Sequence, residues 1–199
     1  MQRRIGIYSG TFDPIHPGHV AFAQETMRTC ELDEIVFLPE QKPRGKDNVT
    51  DLSHRVALIE HAIGNQAGLR VARLVSDQFT VQHTLPELHR LFGDSRLTLL
   101  LGSDIARTLL YRWEGLDTLL RDVSLAIGIR SNDSPKEMTS IMTQLAQDYD
   151  TTVHYTLIST PEAGITSSQI RSGSADTSRL HPGTLHYIQK HKLYPQAFI

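Results

Sequence analysis

Two histidines three residues apart, His16 and His19, stand with Pro17 and Gly18 between them just ahead of an apolar pattern of helical spacing. Imidazoles there would form a compact cationic or donor-rich pocket beside the unpaired backbone N–H groups of a helix N-terminus, which already favour anions. Phosphate is the natural guest. Gly10 allows the backbone to come close to a ligand, and Gly18 keeps the helix entrance free of a Cβ clash. The spacing fits neither the phosphate loop that ends in Gly-Lys-Ser/Thr nor the Gly-x-Gly-x-x-Gly dinucleotide turn. Loop histidines also occur as ordinary surface residues. His-x-x-His can hold zinc, but no cysteine-rich or His/Asp cluster supplies the remaining ligands.

The elements that must position this junction are short apolar, β-branched runs: Ile5–Tyr8, Ile35–Leu38, Leu69–Leu74, Leu97–Leu101, Val123–Ile129 and Val153–Ile158. Runs of that kind, buried on both faces, read as parallel strands. Between them Val20, Ala23, Met27 and Cys30 keep helical spacing, as do Val56, Ile59 and Ile63, and Leu85, Leu88 and Phe92. Each set is predicted to face the sheet. Ser134, Pro135 and Glu137 occupy capping-box positions ahead of Met138, Ile141, Met142, Leu145 and Tyr149, which marks a helix start. The alternation predicts an α/β fold: a Rossmann-like, doubly wound parallel sheet with helices on both faces and ligands beyond the carboxyl ends of the strands. The unpatterned stretch Glu40–Asp51, carrying Lys42, Arg44 and Lys46, leaves the second strand at that end and borders the expected crevice.

A chain of 199 residues with 39% hydrophobic content suits one sizeable core. A single domain over residues 1–199 is expected, with a helical portion from about residue 165. A formal net charge of -2 offers no general attraction to nucleic acid or to an anionic membrane. The single cysteine, Cys30, cannot form an intrachain disulfide and reads as a buried thiol on a helix. Arg3-Arg4 precedes an apolar run too short and glycine-broken for a secretory signal, and nothing approaches a membrane span of about 20 apolar residues. The expectation is a cytoplasmic protein.

The run Gly10-Thr11-Phe12-Asp13-Pro14-Ile15-His16-Pro17-Gly18-His19 resembles the GTFDPxHxGH signature of the nucleotidylyltransferase superfamily. That resemblance implies that His16 and His19 contact the triphosphate of ATP and stabilise charge as pyrophosphate leaves. Gly164-Ile165-Thr166-Ser167-Ser168-Gln169-Ile170-Arg171 is similar to the family's ISSTxIR element, a helix start that grips nucleotide phosphates. Thr166 and Gln169 also satisfy a helix cap, whereas Arg171 has no such structural duty. Leu101-Gly102-Ser103-Asp104 resembles a Gly-x-Asp turn that holds the ATP ribose. Trp113 with Leu119-Leu120, Arg130 at the next strand end, Leu185-His186-Tyr187-Ile188 and Leu193-Tyr194 complete a resemblance to the bacterial nicotinate-nucleotide adenylyltransferases. It spans nearly the whole chain.

What the resemblance implies can be sorted by role. His16, His19 and Arg171 would be catalytic. Gly10, Thr11, Phe12, Gly18, Gly102, Asp104, Ile165, Thr166, Ser167 and Ser168 would bind ATP, and Lys42, Arg44, Lys46, Phe79, Thr80, Trp113 and Arg130 the acceptor. Mg²⁺ would arrive bound to ATP, with few or no protein ligands. Lys42-Pro43-Arg44-Gly45-Lys46 departs from the family's Pro-Pro-His-Lys-like stretch, which leaves open which base meets the acceptor phosphate. Gln78-Phe79-Thr80 replaces a Ser-Tyr-Thr segment that recognises the pyridine ring. Backbone N–H groups near Thr11, Phe12, Phe79 and Thr80, with Trp113 stacking, are expected to read a ring carboxylate; the alternatives are core packing for Phe79 and a partly buried helix position for Trp113. Nicotinate mononucleotide is the expected acceptor. Nicotinamide mononucleotide, phosphopantetheine and FMN are the alternatives within the class, and a catalytically silent nucleotide-binding module is the alternative outside it. A homo-oligomer is compatible with the sequence.

Overall fold

The computed structural model describes residues 2–130, 133–159 and 165–198. Six strands form one sheet: β1 (Arg4–Gly10), β2 (Glu34–Pro39), β3 (Leu69–Val71), β4 (Arg96–Gly102), β5 (Val123–Ile129) and β6 (Tyr155–Ser159). Their order is β3-β2-β1-β4-β5-β6, and every neighbouring pair is parallel. The chain winds outward in opposite directions from β1 and β4, so the loops at the carboxyl ends of these two strands part and leave a crevice. The doubly wound, Rossmann-like sheet expected from the apolar runs is the one observed.

Eight α-helices are described: α1 (Pro17–Thr29), α2 (Leu52–Ile63), α3 (Val81–Phe92), α4 (Ser103–Thr108), α5 (Leu116–Asp122), α6 (Pro135–Asp148), α7 (Ser167–Arg171) and α8 (Pro182–Lys190). Alternation along the strands assigns them to two faces. Ile5, Ile7, Val36, Leu99 and Ile127 pack with residues of α3, α5 and α6, whereas Ile35, Phe37, Leu100 and Ala126 pack with residues of α1, α2 and α8. Each of these side chains except the smaller Ala126 contributes roughly 1.5–3 kcal/mol by leaving water. Burial on both faces is why the strands read as unbroken apolar runs. Ser134 caps α6 by accepting from the N–H of Glu137, and Met138, Ile141, Met142 and Leu145 form its buried face.

Three local expectations change. β3 ends at Val71 instead of Leu74, because its partner at the sheet edge, β2, runs into Pro39, which has no N–H to continue a ladder. β6 begins at Tyr155 instead of Val153. Cys30 is the half-buried C-cap of α1 and not a residue inside the helix; the buried residues of α1 are Phe22, Ala23 and Thr26. No helix among the described residues is long and apolar enough to cross a membrane.

Candidate active site

β1 delivers the signature loop to the crevice, and α1 begins inside it. His16 is the N-cap of α1 and His19 lies in its first turn, following Pro17 and Gly18. Their rings are stacked, with centroids 3.7 Å apart and planes tilted by 33°. The backbone N–H of His16 donates to Nδ1 of His19 across 3.2 Å. An Nδ1 that accepts requires the neutral ring to carry its proton on Nε2, which leaves that edge of His19 a donor. Nδ1 of His16 is buried without a partner among the described residues.

The pair is not cationic near neutrality. Burial, and then the charge of Arg130, pulls the His16 pKa from 6.5 down to about 4. His19 lies well below its ordinary range, through burial first and then through His16, Arg130 and Lys46. The imidazoles are neutral N–H donors, and the positive field is supplied by the lysine and arginines around them.

Those cations come from separate elements. Lys46 donates from Nζ to Oγ1 of Thr11 at 2.8 Å, which carries the β2–α2 loop over the signature. Arg130 follows the end of β5 and faces Asp104 across 3.5 Å, with Tyr8 of β1 nearby enough to feel both charges. Asp104 opens α4 behind Gly102; a Cβ at Gly102 would meet Oδ1 of Asp104 at 2.5 Å, so a side chain there would displace that carboxylate. Arg171, the last residue of α7, donates from Nη1 to the carbonyl of Asp13 at 2.6 Å and from Nη2 to Oγ of Ser168 at 3.4 Å. Oγ of Ser167 donates to the carbonyl of Pro14 at 2.9 Å. The β1 loop and the α7 segment are thus stitched together, 153 to 158 residues apart in sequence.

A sequence model of the cytidylyltransferase-like family matches residues 7–173. The chain belongs to that family. A Neisseria gonorrhoeae protein named "probable nicotinate-nucleotide adenylyltransferase" is 30% identical over 203 residues, covering 96% of this chain and 98% of its own. A Mycobacterium tuberculosis protein of the same name is 30% identical over 202 residues, covering 96% and 91%. Among solved structures, the Plasmodium falciparum nicotinic acid mononucleotide adenylyltransferase complexed with NaAD superposes with a TM-score of 0.74 at 22% identity, covering 98% of both chains. The same enzyme complexed with APC gives 0.75 at 21%. At that identity the likeness establishes the shared fold.

Within this cytidylyltransferase-like chain several site expectations are redrawn. Arg171 does have a structural duty, because its guanidinium holds the signature loop through Asp13. Arg130, expected on the acceptor side, pairs with Asp104 and lies beside the histidines. The side chain of Phe12 is buried in an aromatic cluster with Tyr8, Phe37 and His19, and Gly10 packs under its ring, so these two residues offer a ligand backbone only. Ile165 is buried core, and Thr166 caps α7 in a full capping box with Gln169. Gly164, the first residue of that element, lies outside the described residues.

The acceptor candidates divide. Lys42 pairs with Asp77 at 2.8 Å and Arg44 donates to Gln78 at 3.1 Å, both exposed, so of the three bases it is Lys46 that reaches the signature loop. Thr80 caps α3, accepting from the N–H of His83. Its own N–H bonds Oγ1 of Thr84, and that of Phe79 bonds Glu40, so neither is a spare donor for a carboxylate. Phe79 and Trp113 are half-buried against the same core; Trp113 lies between a short 3-10 turn and α5, not inside a helix. Among the described residues no group of three or more His, Cys, Asp or Glu could hold a metal ion.

Four residues at the site had no site role assigned from the sequence. Tyr8 backs the histidine pair. Glu40 accepts from Oγ of Ser9 and from the N–H of Phe79. Tyr194 donates to the buried carboxylate of Asp13 at 2.5 Å. Arg55 sits 1% exposed beneath the loops. Its signal was available: it lies four residues before Ile59, on the apolar stripe of α2, where a charge is out of place.

Proposed function

We propose that the protein transfers AMP from ATP to the phosphate of nicotinate mononucleotide, giving nicotinate adenine dinucleotide and pyrophosphate, a step of NAD biosynthesis in the cytoplasm. The observation that carries the proposal is the stacked His16–His19 pair at the start of α1, neutral and donor-competent, in a crevice ringed by Lys46, Arg130 and Arg171. The likeness in sequence along 96% of the chain to relatives named for this reaction supports the choice of acceptor.

An acceptor phosphate oxygen attacks the α-phosphorus of ATP; the new P–O bond forms as the bond to the bridging α–β oxygen breaks, and that electron pair leaves on pyrophosphate. The acceptor phosphate is ionised at neutral pH, so no general base is needed. Such a step rests on alignment and charge neutralisation. His16 and His19 donate hydrogen bonds to the oxygens that gain charge, and Arg171 holds the β- and γ-phosphates from a position fixed by Asp13. Gly102 and Asp104 take the ribose, and Mg²⁺ enters as part of the MgATP substrate. On the acceptor side Lys46 meets the phosphate. Phe79 and Trp113 flank the pyridine, and its carboxylate is left with the N–H groups of Thr11 and Phe12.

Pyrophosphate release with nicotinate mononucleotide, nicotinamide mononucleotide, phosphopantetheine and FMN, each with ATP and Mg²⁺, tests the reading. An amide in place of the carboxylate sets an NH₂ against donors and costs about 1–3 kcal/mol, or roughly 5- to 150-fold in kcat/KM. Equal values for the two mononucleotides would reduce the assignment to an adenylyltransferase of another acceptor. No release with any acceptor would favour the silent module.

A further inference from the structure

Among the described residues Arg55 is the largest fully buried side chain, and its hydrogen bonds there all go to backbone carbonyls. Nε donates to Thr50 at 2.7 Å, Nη1 to Thr11 at 2.7 Å, and Nη2 to Glu40 at 2.8 Å and Gln41 at 3.4 Å. Those carbonyls belong to three segments: the signature loop after β1, the exit of β2, and the entrance to α2. The segment between Gln41 and Thr50 carries Lys46, and one guanidinium pins it at both ends. Lys46 returns to Oγ1 of Thr11, whose carbonyl is itself held by Arg55, so the loop closes on the histidine-bearing segment through two cations that meet at Thr11. Glu40 extends the hold to the N–H of Phe79.

From this geometry we propose that Arg55 is a positioning residue for the acceptor half of the site: it sets the distance of Lys46 and Phe79 from His16 and His19 without touching substrate. The inference rests on the acceptor-side reading given above. Arginine suits the task because its planar fork sends donors in three directions at once, which an ammonium on a flexible stem cannot do. Burial lowers its pKa, and the nearby Asp13, Tyr194, Glu40 and Asp51 oppose that shift, so the group stays a cation among dipoles and carboxylates. On the ATP side, Asp104 and Arg130 stand at the ends of other strands, and Arg171 reaches the signature loop from α7. Loosening the clamp therefore loosens one substrate more than the other.

The test is a steady-state comparison of Arg55→Lys with the wild-type protein, using nicotinate mononucleotide as acceptor, well below the melting temperature of the variant. The expected result is an acceptor KM raised about tenfold or more, a kcat lowered several-fold, and an ATP KM changed by less than about threefold. In a Lys46→Ala background most of the acceptor penalty should disappear, because both changes act on one contact. ATP and acceptor constants worsening together, in step with the loss of folded protein, would overturn the proposal. If Arg55→Lys does not fold, inserting two glycines after Gly45 slackens the same loop and leaves the guanidinium untouched. An acceptor KM unchanged by that insertion would also overturn it. The wild-type arm keeps the failures apart: no pyrophosphate from wild type with this acceptor refutes the function, not the clamp.

Discussion

On one side of the crevice His16, His19, Asp104 and Thr166 stand at the ends of regular elements; on the other Lys46, Glu40 and Phe79 stand on irregular chain between β2 and α3. The first rim is held by helix caps and strand ends, whose geometry is inherited from the sheet. The second has no ladder of its own, so the carbonyls of Glu40, Gln41 and Thr50 are satisfied by a buried arginine and the N–H of Phe79 by Glu40. A rim built on elements tolerates change in its loops, whereas one built on a polar clamp depends on each bond of the clamp.

The largest effect should come from the element-held rim. His16→Ala and His19→Ala are each expected to lower kcat by about 10²-fold or more, since each removes a donor to developing charge. His19→Ala also removes the bond to the His16 N–H, a capping loss of about 1 kcal/mol that leaves the fold intact. Circular dichroism with kcat under saturating substrates checks both. Near-normal turnover in the folded double variant would show that the pair is a cap and no more, and the contrast between the rims would lose its chemical half.

That rim was legible in the sequence because its residues sit where local rules act: a glycine-flanked histidine pair at a helix start, a Gly-x-Asp turn after a strand, a capping box at Thr166. The clamp was not, because its bonds run from a side chain to carbonyls 5 to 44 residues away, and any residue type supplies a carbonyl. Asp13 shows the same limit. It stood in the signature, yet its partner Tyr194 lies 181 residues on, and only the packed fold brings the tail beneath the loop. The charge state of the histidines was hidden too, because desolvation is a property of the assembled site and not of the spacing.

A second effect tests how far the C-terminal tail supports the signature loop. Tyr194, 8% exposed, donates to the carboxylate of Asp13, which also accepts from the N–H of Thr50. Tyr194→Phe leaves one carboxylate oxygen short of its donor and should cost about 2 kcal/mol of stability. Thermal melts would register this. A fall in kcat much larger than the fall in stability would mean that the tail positions the loop, as Arg55 does on the other rim.

Within the clamped rim the three bases should separate. Lys46→Ala is expected to raise the acceptor KM about tenfold by removing a charge-assisted contact. Lys42→Ala and Arg44→Ala, which lose only exposed partners in Asp77 and Gln78, should change it by less than about twofold. Equal effects from all three would mean that the loop attracts the acceptor as a diffuse positive field and that its pinned geometry matters little.

The smallest expected effect distinguishes the rims by acid. A histidine whose folded pKa is depressed binds fewer protons in the native state than in the unfolded chain, so its contribution to stability is lost as pH falls below the unfolded value. For His16 that window runs from about 6.5 to about 4, with burial as the leading cause and Arg130 as the next. Between pH 6.5 and 5.5 the unfolded histidine goes from about half to about nine-tenths protonated while the folded site stays neutral, which costs about 1 kcal/mol. The guanidinium of Arg55 does not titrate there, so the acceptor rim should be indifferent to the same change. Urea melts at the two pH values would therefore show a smaller acid loss in His16→Asn than in wild type, by about 1 kcal/mol, and no such gain in Arg44→Ala. Equal losses in all three proteins would mean that His16 is well solvated in the folded state and binds its proton there as it does in the unfolded chain. The charge of the donors facing the triphosphate would then change through the physiological range, and the fixed neutral pair on which the proposed chemistry rests would have to be given up.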